Sequence, residues 1–331
     1  MILTIRVQRL LPYALALVIA GAGVAAPAGA DPGSSEEGDV AERRPARAVV
    51  SQPIEKPPPR FQNLRRLAQK RLRSAADDTW LSGRAAAALV DEIAGVDAGA
   101  RRQGRVKKKR MPRSVGKLYT LDGGAIGECS AFTVRDPKFP RKRSFVVTAG
   151  HCLVDRKSRD WVDFAEFYPK YYRGKQHPWW GNWDAKRFLT YNKWFYKGRW
   201  KYDIGVVKLE RGAKRKQIVD YLGGNRLVYG AKPRDKRVRF IGYPAAGRYD
   251  GDFPYQCIGR AHGSRKRKWV TIMPCATREG ASGGPWFKRM RNKHTGVVYA
   301  ALSRGTIKGK RYITAPTFKK SLRRIAFKHK W

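Results

Sequence analysis

The chain has 331 residues and carries 71 Lys and Arg against 26 Asp and Glu, a formal net charge of +45. That length suffices for one large or two medium domains with a sizeable core. Roughly +10 of the charge precedes residue 114 and roughly +35 follows it, so the folded part is itself strongly basic and draws polyanions rather than repelling them.

MILTIRVQRL supplies positive charge, Leu10 to Ala26 is an apolar run, and Ala28-Gly29-Ala30 is a small-x-small cleavage site. This is the pattern of a secretory signal peptide, 1–30, with a retained anchor as the alternative. No later stretch reaches the roughly 18 unbroken apolar residues of a spanning helix, so the chain is expected to be secreted, with no membrane span once the signal is removed. Secretion makes chromosomal nucleic acid a poor target and leaves anionic cell-wall or other extracellular polymers, or acidic substrates, as partners for the charge.

Asp31 to Arg60 is rich in Pro, Gly, Ser and charge and is expected to be a linker or disordered. From Phe61 to Ala98, Leu64, Leu67 and Leu72 stand at near-helical spacing ahead of an alanine-rich stretch, which reads as two short helices. Gly104 to Ser114, GRVKKKRMPRS, is a basic run open to processing proteases. Residues 31–113 are therefore expected to be a pro-region. From about Val115, strand-like runs recur between turn residues: KLYTL, CSAFTV, SFVVTAG, DIGVVKL, RVRFIGYP, KWVTIMP, GGPWF and GVVYAALS. Many short strands without amphipathic helices between them imply an all-β sandwich or barrel pair, closed by one amphipathic stretch, Thr317 to Lys328. No sequence repeat at a fixed period is visible.

Four cysteines in a secreted chain point to two disulfides. Cys129, Cys152, Cys257 and Cys275 form no CxxC pair and have no His at ligand spacing, which argues against zinc. Gly280-Ala-Ser-Gly-Gly-Pro285 surrounds one serine with glycines, a turn that can expose a hydroxyl and converge backbone N–H groups, although such turns also occur without function. A serine nucleophile needs a base, and the base needs an orienting acid. His151 follows an apolar strand, where it could equally be a core histidine or a metal ligand, and Asp203 opens another, where it could be a turn residue.

TAGHC, DIGVVKL and GASGGPW, in the order His, Asp, Ser, together resemble the motifs of the chymotrypsin-like (trypsin-like) serine peptidases. The resemblance spans roughly 115–331. It is nearest to secreted bacterial members, glutamyl-endopeptidase-like and actinobacterial trypsin-like, which share an IGYPAAG-type stretch and a cysteine ahead of the serine loop. It implies a chymotrypsin-like double β-barrel over 114–331, with a short C-terminal helix and the active site between the barrels. His151 would be general base and acid, Asp203 its orienting carboxylate, Ser282 the nucleophile, and the N–H groups of Gly280 and Ser282 the oxyanion hole. It also implies a Cys129–Cys152 disulfide, leaving Cys257 to pair with Cys275. By position the specificity pocket falls at Ala276 and Thr277, with Ser303, Arg304 and Gly305 along its wall. No acid lies at that base, so a preference for Arg or Lys is not supported; Thr277, Arg278 and Arg304 fit an acidic or polar side chain, or simply solvated arginines.

Ala281 stands where animal relatives carry the aspartate that binds a freed N-terminus, so control by the pro-region is expected to be steric or through folding. Trp161 to Trp200 holds six of the ten tryptophans among cations, a pattern of barrel packing or of stacking on nucleic acid or sugars. His177, His262, His294 and His329 have no motif around them. No metal or organic cofactor is indicated. Two functions follow: a secreted serine endopeptidase acting on polypeptides, or a basic polyanion-binding protein on a peptidase fold.

Overall fold

The computed structural model describes residues 49–55, 80–81, 102–140, 144–155, 157–210, 216–264, 268–306 and 311–328. The signal-peptide reading, most of the pro-region and His329 lie outside them. Fourteen strands follow residue 114: β4 (Val115–Asp122), β5 (Ala125–Arg135), β6 (Phe145–Thr148), β7 (Phe164–Pro169), β8 (Trp183–Tyr191), β9 (Gly205–Leu209), β10 (Asn225–Leu227), β11 (Asp235–Gly242), β12 (Tyr255–Gly263), β13 (Val270–Pro274), β14 (Pro285–Met290), β15 (Gly296–Ala301), β16 (Arg304–Thr306) and β17 (Tyr312–Pro316). Three precede it: β1 (Val49–Pro53), β2 (Trp80–Leu81) and β3 (Arg102–Arg105).

Antiparallel pairing runs β4–β5–β6–β9–β8–β7 and back to β4, closing a six-stranded barrel. A second ladder, β15–β14–β11–β12–β13–β17, returns to β15 through the antiparallel bridge of Ala300 and Thr317. Short β10 pairs in parallel with β5 of the first barrel and β15 of the second, joining the two. The C-terminal stretch is a helical turn, Lys320–Arg323, that continues over Arg324–Lys328 and buries Leu322, Ile325 and Phe327.

The strands bury side chains on both faces, and two cores of different composition result. The first contains a ring of edge-to-face tyrosines, Tyr119, Tyr168 and Tyr171, that reaches Tyr243 just beyond β11, together with buried Phe132, Phe164, Phe167 and Phe188. The second is smaller and turns on Trp286, Phe240 and Tyr299. Most of the tryptophan-rich stretch is packing: Trp161 lies between Phe188 and Phe195, Trp183 and Trp194 are buried, and β7 and β8 run through it. Trp179 is the exception, 86% exposed.

The segment ahead of residue 114 departs from a disordered-then-helical reading where it is described. Val49–Pro53 extends the first barrel as a strand on β8, because its β-branched start meets an open sheet edge that outweighs local polarity. Trp80–Leu81 lies as a strand rather than in a helix, parallel to β16. Arg102–Arg105 pairs with β12, and Val106 and Met111 sit in the core at 1% exposure, so 102–113 is integral to the folded body. Among the described residues no helix is long and apolar enough to cross a membrane.

Candidate active site

His151 sits in a 3-10 turn, Gly150–Cys152, directly after β6. The strand's four residues are buried and fix its direction, and Cys152 is bonded to Cys129 on β5, which pins the turn from the other side. Cys129, Cys152 and His151 cluster as a metal site would, but the two sulfurs are spent on each other. The second disulfide joins Cys257 and Cys275.

Asp203 closes the 3-10 turn before β9 and is fully buried. Three hydrogen bonds satisfy its carboxylate. Oδ1 accepts from the His151 backbone N–H at 2.8 Å; Oδ2 accepts from the His151 ring Nδ1 at 2.8 Å and from the Ser303 hydroxyl at 2.6 Å. A carboxylate on Nδ1 holds the proton there and leaves Nε2 as the basic nitrogen. The Trp194 ring, fully buried, packs against the imidazole with centroids 6.4 Å apart. Ring and carboxylate together fix the histidine to one rotamer.

Ser282 lies in the loop between β13 and β14. Gly280 (φ 83°) and Gly283 (φ 80°) take the left-handed conformation on either side of it, which L side chains resist. A Cβ on Gly283 would collide with the Ser130 carbonyl and the Thr148 hydroxyl. The loop is held almost wholly through main chain: Gly283 N–H donates to Leu302, Leu302 N–H to Gly284, and Ser130 N–H to the Ser282 carbonyl at 2.7 Å. The Ser130 hydroxyl donates to the Gly280 carbonyl and accepts from Tyr243 N–H, both at 2.9 Å.

Within this lattice three polar groups stay unused. The Ser282 hydroxyl is buried without a hydrogen-bond partner, and the N–H groups of Gly280 and Ser282, unlike those of Ala281, Gly283 and Gly284, donate to no acceptor among the described residues. A hydroxyl beside two uncommitted donors is the arrangement a tetrahedral acyl-transfer intermediate would require.

Of the expected pocket residues, Ala276 is clamped at its backbone: its carbonyl accepts from the Gln103 amide and the Tyr249 hydroxyl, and its N–H donates to Gln103, each at 2.9 Å. Thr277 is buried with its hydroxyl unpartnered among the described residues. Arg304 is 7% exposed and stacks its guanidinium on Trp200 at 4.3 Å, so it is not a solvated arginine. Gly305 is buried beside it. Ser303, read from sequence as pocket wall, has its hydroxyl on Asp203, and with Trp194, Ser130 and Gln103 it forms a supporting set that sequence reasoning missed. Nothing local marks these four; their signal is spatial.

A barrel bearing an imidazole–carboxylate pair, set against a second bearing a glycine-cradled serine, is the fold of the trypsin-like serine proteases. Solved structures agree. The chain is similar to the protease Anisep from Arthrobacter nicotinovorans, with a TM-score of 0.60 and 24% identity over 69% of this chain and 100% of that one. It is also similar to AL20, a thermostable serine protease from an extremophilic microorganism (0.57, 25%, 65% and 95%), and to a Glu endopeptidase (0.51, 17%, 69% and 94%). No protein-family model matches the chain, and no curated protein matches it by sequence.

Proposed function

We propose that this protein is a secreted serine endopeptidase that hydrolyses peptide bonds through an acyl-enzyme. The observation that carries the reading is the Asp203–His151 hydrogen bond, with Gly283 of the serine loop close against Thr148 and Ala149 just ahead of the histidine turn, and an uncommitted Ser282 hydroxyl with two uncommitted N–H groups in that loop. In this mechanism Ser282 Oγ attacks the scissile carbonyl carbon while His151 Nε2 takes its proton. The oxyanion accepts from Gly280 and Ser282 N–H, worth roughly 3–4 kcal/mol per donor in the transition state. Asp203 holds the imidazolium. Collapse passes the proton to the leaving amine, and water repeats the sequence to release the acid. Thr277, unpaired at the pocket base, would offer a neutral hydroxyl to the residue before the cut. Fluorophosphonate labelling and peptide-library cleavage, wild type beside Ser282→Ala, test the reading. Labelling and cleavage lost in the variant support it; a folded wild type that neither labels nor cleaves makes the polyanion-binding protein the better account.

We further propose that the segment ahead of residue 102 is an inhibitory pro-region. Trp80–Leu81 pairs in parallel with Gly305–Thr306 of β16, the strand that directly follows Ser303. An extended polypeptide docks by adding a strand to a sheet edge, so the segment competes with substrate backbone for the same donors and acceptors. Buried Val106 and Met111 and the Gln103 clamp favour a maturation cut before Arg102 rather than at the basic run. Leu81→Pro, which disfavours strand pairing at that position, should raise the activity of the unprocessed chain. N-terminal sequencing of the active secreted form is the stricter check: residues 80–81 retained at full activity would end the idea.

A further inference from the structure

The proposed peptidase leaves one concentration of charge without a use. A cavity of about 490 Å³ is lined by Arg113, Arg135, Arg226 and Arg291 together with Asn292 and His294, and no carboxylate lines it. It forms where four segments meet: the lead-in to β4, the end of β5, strand β10, and the turn between β14 and β15.

Those segments are fastened to one another. The fully buried Asn225 donates to the Thr133 carbonyl at 2.9 Å and accepts from Gly296 N–H at 2.9 Å, and the Ser114 hydroxyl donates to the His294 carbonyl. None of the four guanidiniums is paired with a carboxylate among the described residues. Arg113 Nε and His294 Nδ1 are buried without a hydrogen-bond partner. Burial lowers the pKa of His294 and of Lys170, and Arg113 and Lys293 lower each further, so the local field is positive and uncompensated. A neighbouring basic hollow lined by Lys138, Lys320, Arg323 and Lys328 differs: there Asp136 takes Arg323 in a two-pronged ion pair.

We propose that the four-arginine cavity is a binding site for a phosphate-bearing oligoanion. Guanidinium forks match the paired oxygens of phosphate and hold them more tightly than ammonium does. Four of them on a fixed frame, around a volume larger than one phosphate, fit several linked phosphate groups rather than a single ion. The site is separate from catalysis: β14 begins three residues after Ser282 and delivers its far end to Arg291, roughly 20 Å away at about 3.3 Å per residue. The proposal therefore stands whether or not the chain is a peptidase.

Tripolyphosphate is the probe, titrated calorimetrically into the full chain at near-physiological salt, where diffuse surface attraction is screened. Saturable one-to-one binding is expected, weakened at least tenfold in Arg113→Gln/Arg226→Gln and in Arg135→Gln/Arg291→Gln. The control Lys320→Gln/Lys328→Gln, which removes the same charge from the neighbouring hollow, is expected to change it less than threefold. Arg135 and Arg291 are both exposed, so a folding defect in the first pair does not blunt the test. Equal losses in cavity and control variants, many equivalent weak sites, no binding at all, or an oligoglutamate of equal charge bound more tightly than tripolyphosphate would each overturn the proposal.

Discussion

The two halves of the candidate site are fixed by different means. On the first barrel, His151 and Asp203 are held by side chains: a buried carboxylate with three hydrogen bonds, an indole against the imidazole, a disulfide one residue away. On the second, Ser282 is held by backbone, with left-handed glycines on both sides and carbonyls and N–H groups knitted to Ser130 and Leu302. The difference follows from what each half must supply. A base needs its tautomer and rotamer fixed, which only side-chain partners can do. Oxyanion donors are themselves backbone, and they can point at one place only if the chain around them is committed elsewhere.

Substitutions that strip one half at a time separate these roles. Asp203→Asn removes the tautomer lock while keeping the shape; kcat is expected to fall about 10⁴-fold with KM little changed, as steady-state kinetics on a peptide substrate would show. Gly283→Ala attacks the backbone half. The added Cβ meets the Ser130 carbonyl and the Thr148 hydroxyl, and overpacking plus left-handed strain should cost about 3 kcal/mol in denaturant unfolding. Activity should fall with stability there, whereas Asp203→Asn should leave the unfolding midpoint near wild type. If Gly283→Ala were as stable as wild type, the backbone-held description of the loop would be wrong. Ser303→Ala removes one of three bonds to Asp203 and should lower kcat about tenfold, matching a hydrogen bond to a charged group of about 1.5–3 kcal/mol less relaxation; restoration by Thr at that position would distinguish the hydroxyl from mere packing.

The smallest effect concerns the cationic flank of the first half. Burial, with Lys201 and Lys193 adding repulsion, lowers the Lys319 ammonium from 10.5 to about 8 while it donates to the Lys201 carbonyl. The unfolded chain then holds this proton more firmly than the folded one between about pH 8 and pH 10.5. Folding stability should therefore rise with pH across that window, and below it the penalty is present in full. Lys319→Met should be slightly more stable than wild type at pH 7, with the gap closing as pH rises through the window; thermal unfolding across pH would expose the opposite slope.

The strands that carry the His151–Asp203 pair were legible in the sequence. DIGVVKL and SFVVTAGHC announce buried strands with Asp203 and His151 at their ends, because β-branched runs leave polar residues conspicuous there. The C-terminal amphipathic stretch was equally plain. Ser303 was visible only as a residue of the pocket wall, since its bond to Asp203 joins positions 100 residues apart that no local pattern connects. Val49–Pro53 and Trp80–Leu81 sit in sequence that argues against strands and become strands by borrowing an edge from residues far along the chain. His294 had no motif around it because its neighbours in the arginine cavity come from three other segments.

Ser130 has a consequence of its own. It belongs to β5 of the first barrel, yet its N–H and hydroxyl reach the Ser282 and Gly280 carbonyls, and the preceding residue, Cys129, is bonded to the neighbour of His151. The spacing between the histidine turn and the serine loop is thus gauged by two adjacent residues of one strand. Connections elsewhere in either barrel can lengthen, shorten or be exchanged without altering that gauge, which leaves the surface free to vary, and to accumulate an extreme charge, while His151 and the Ser282 loop keep their spacing.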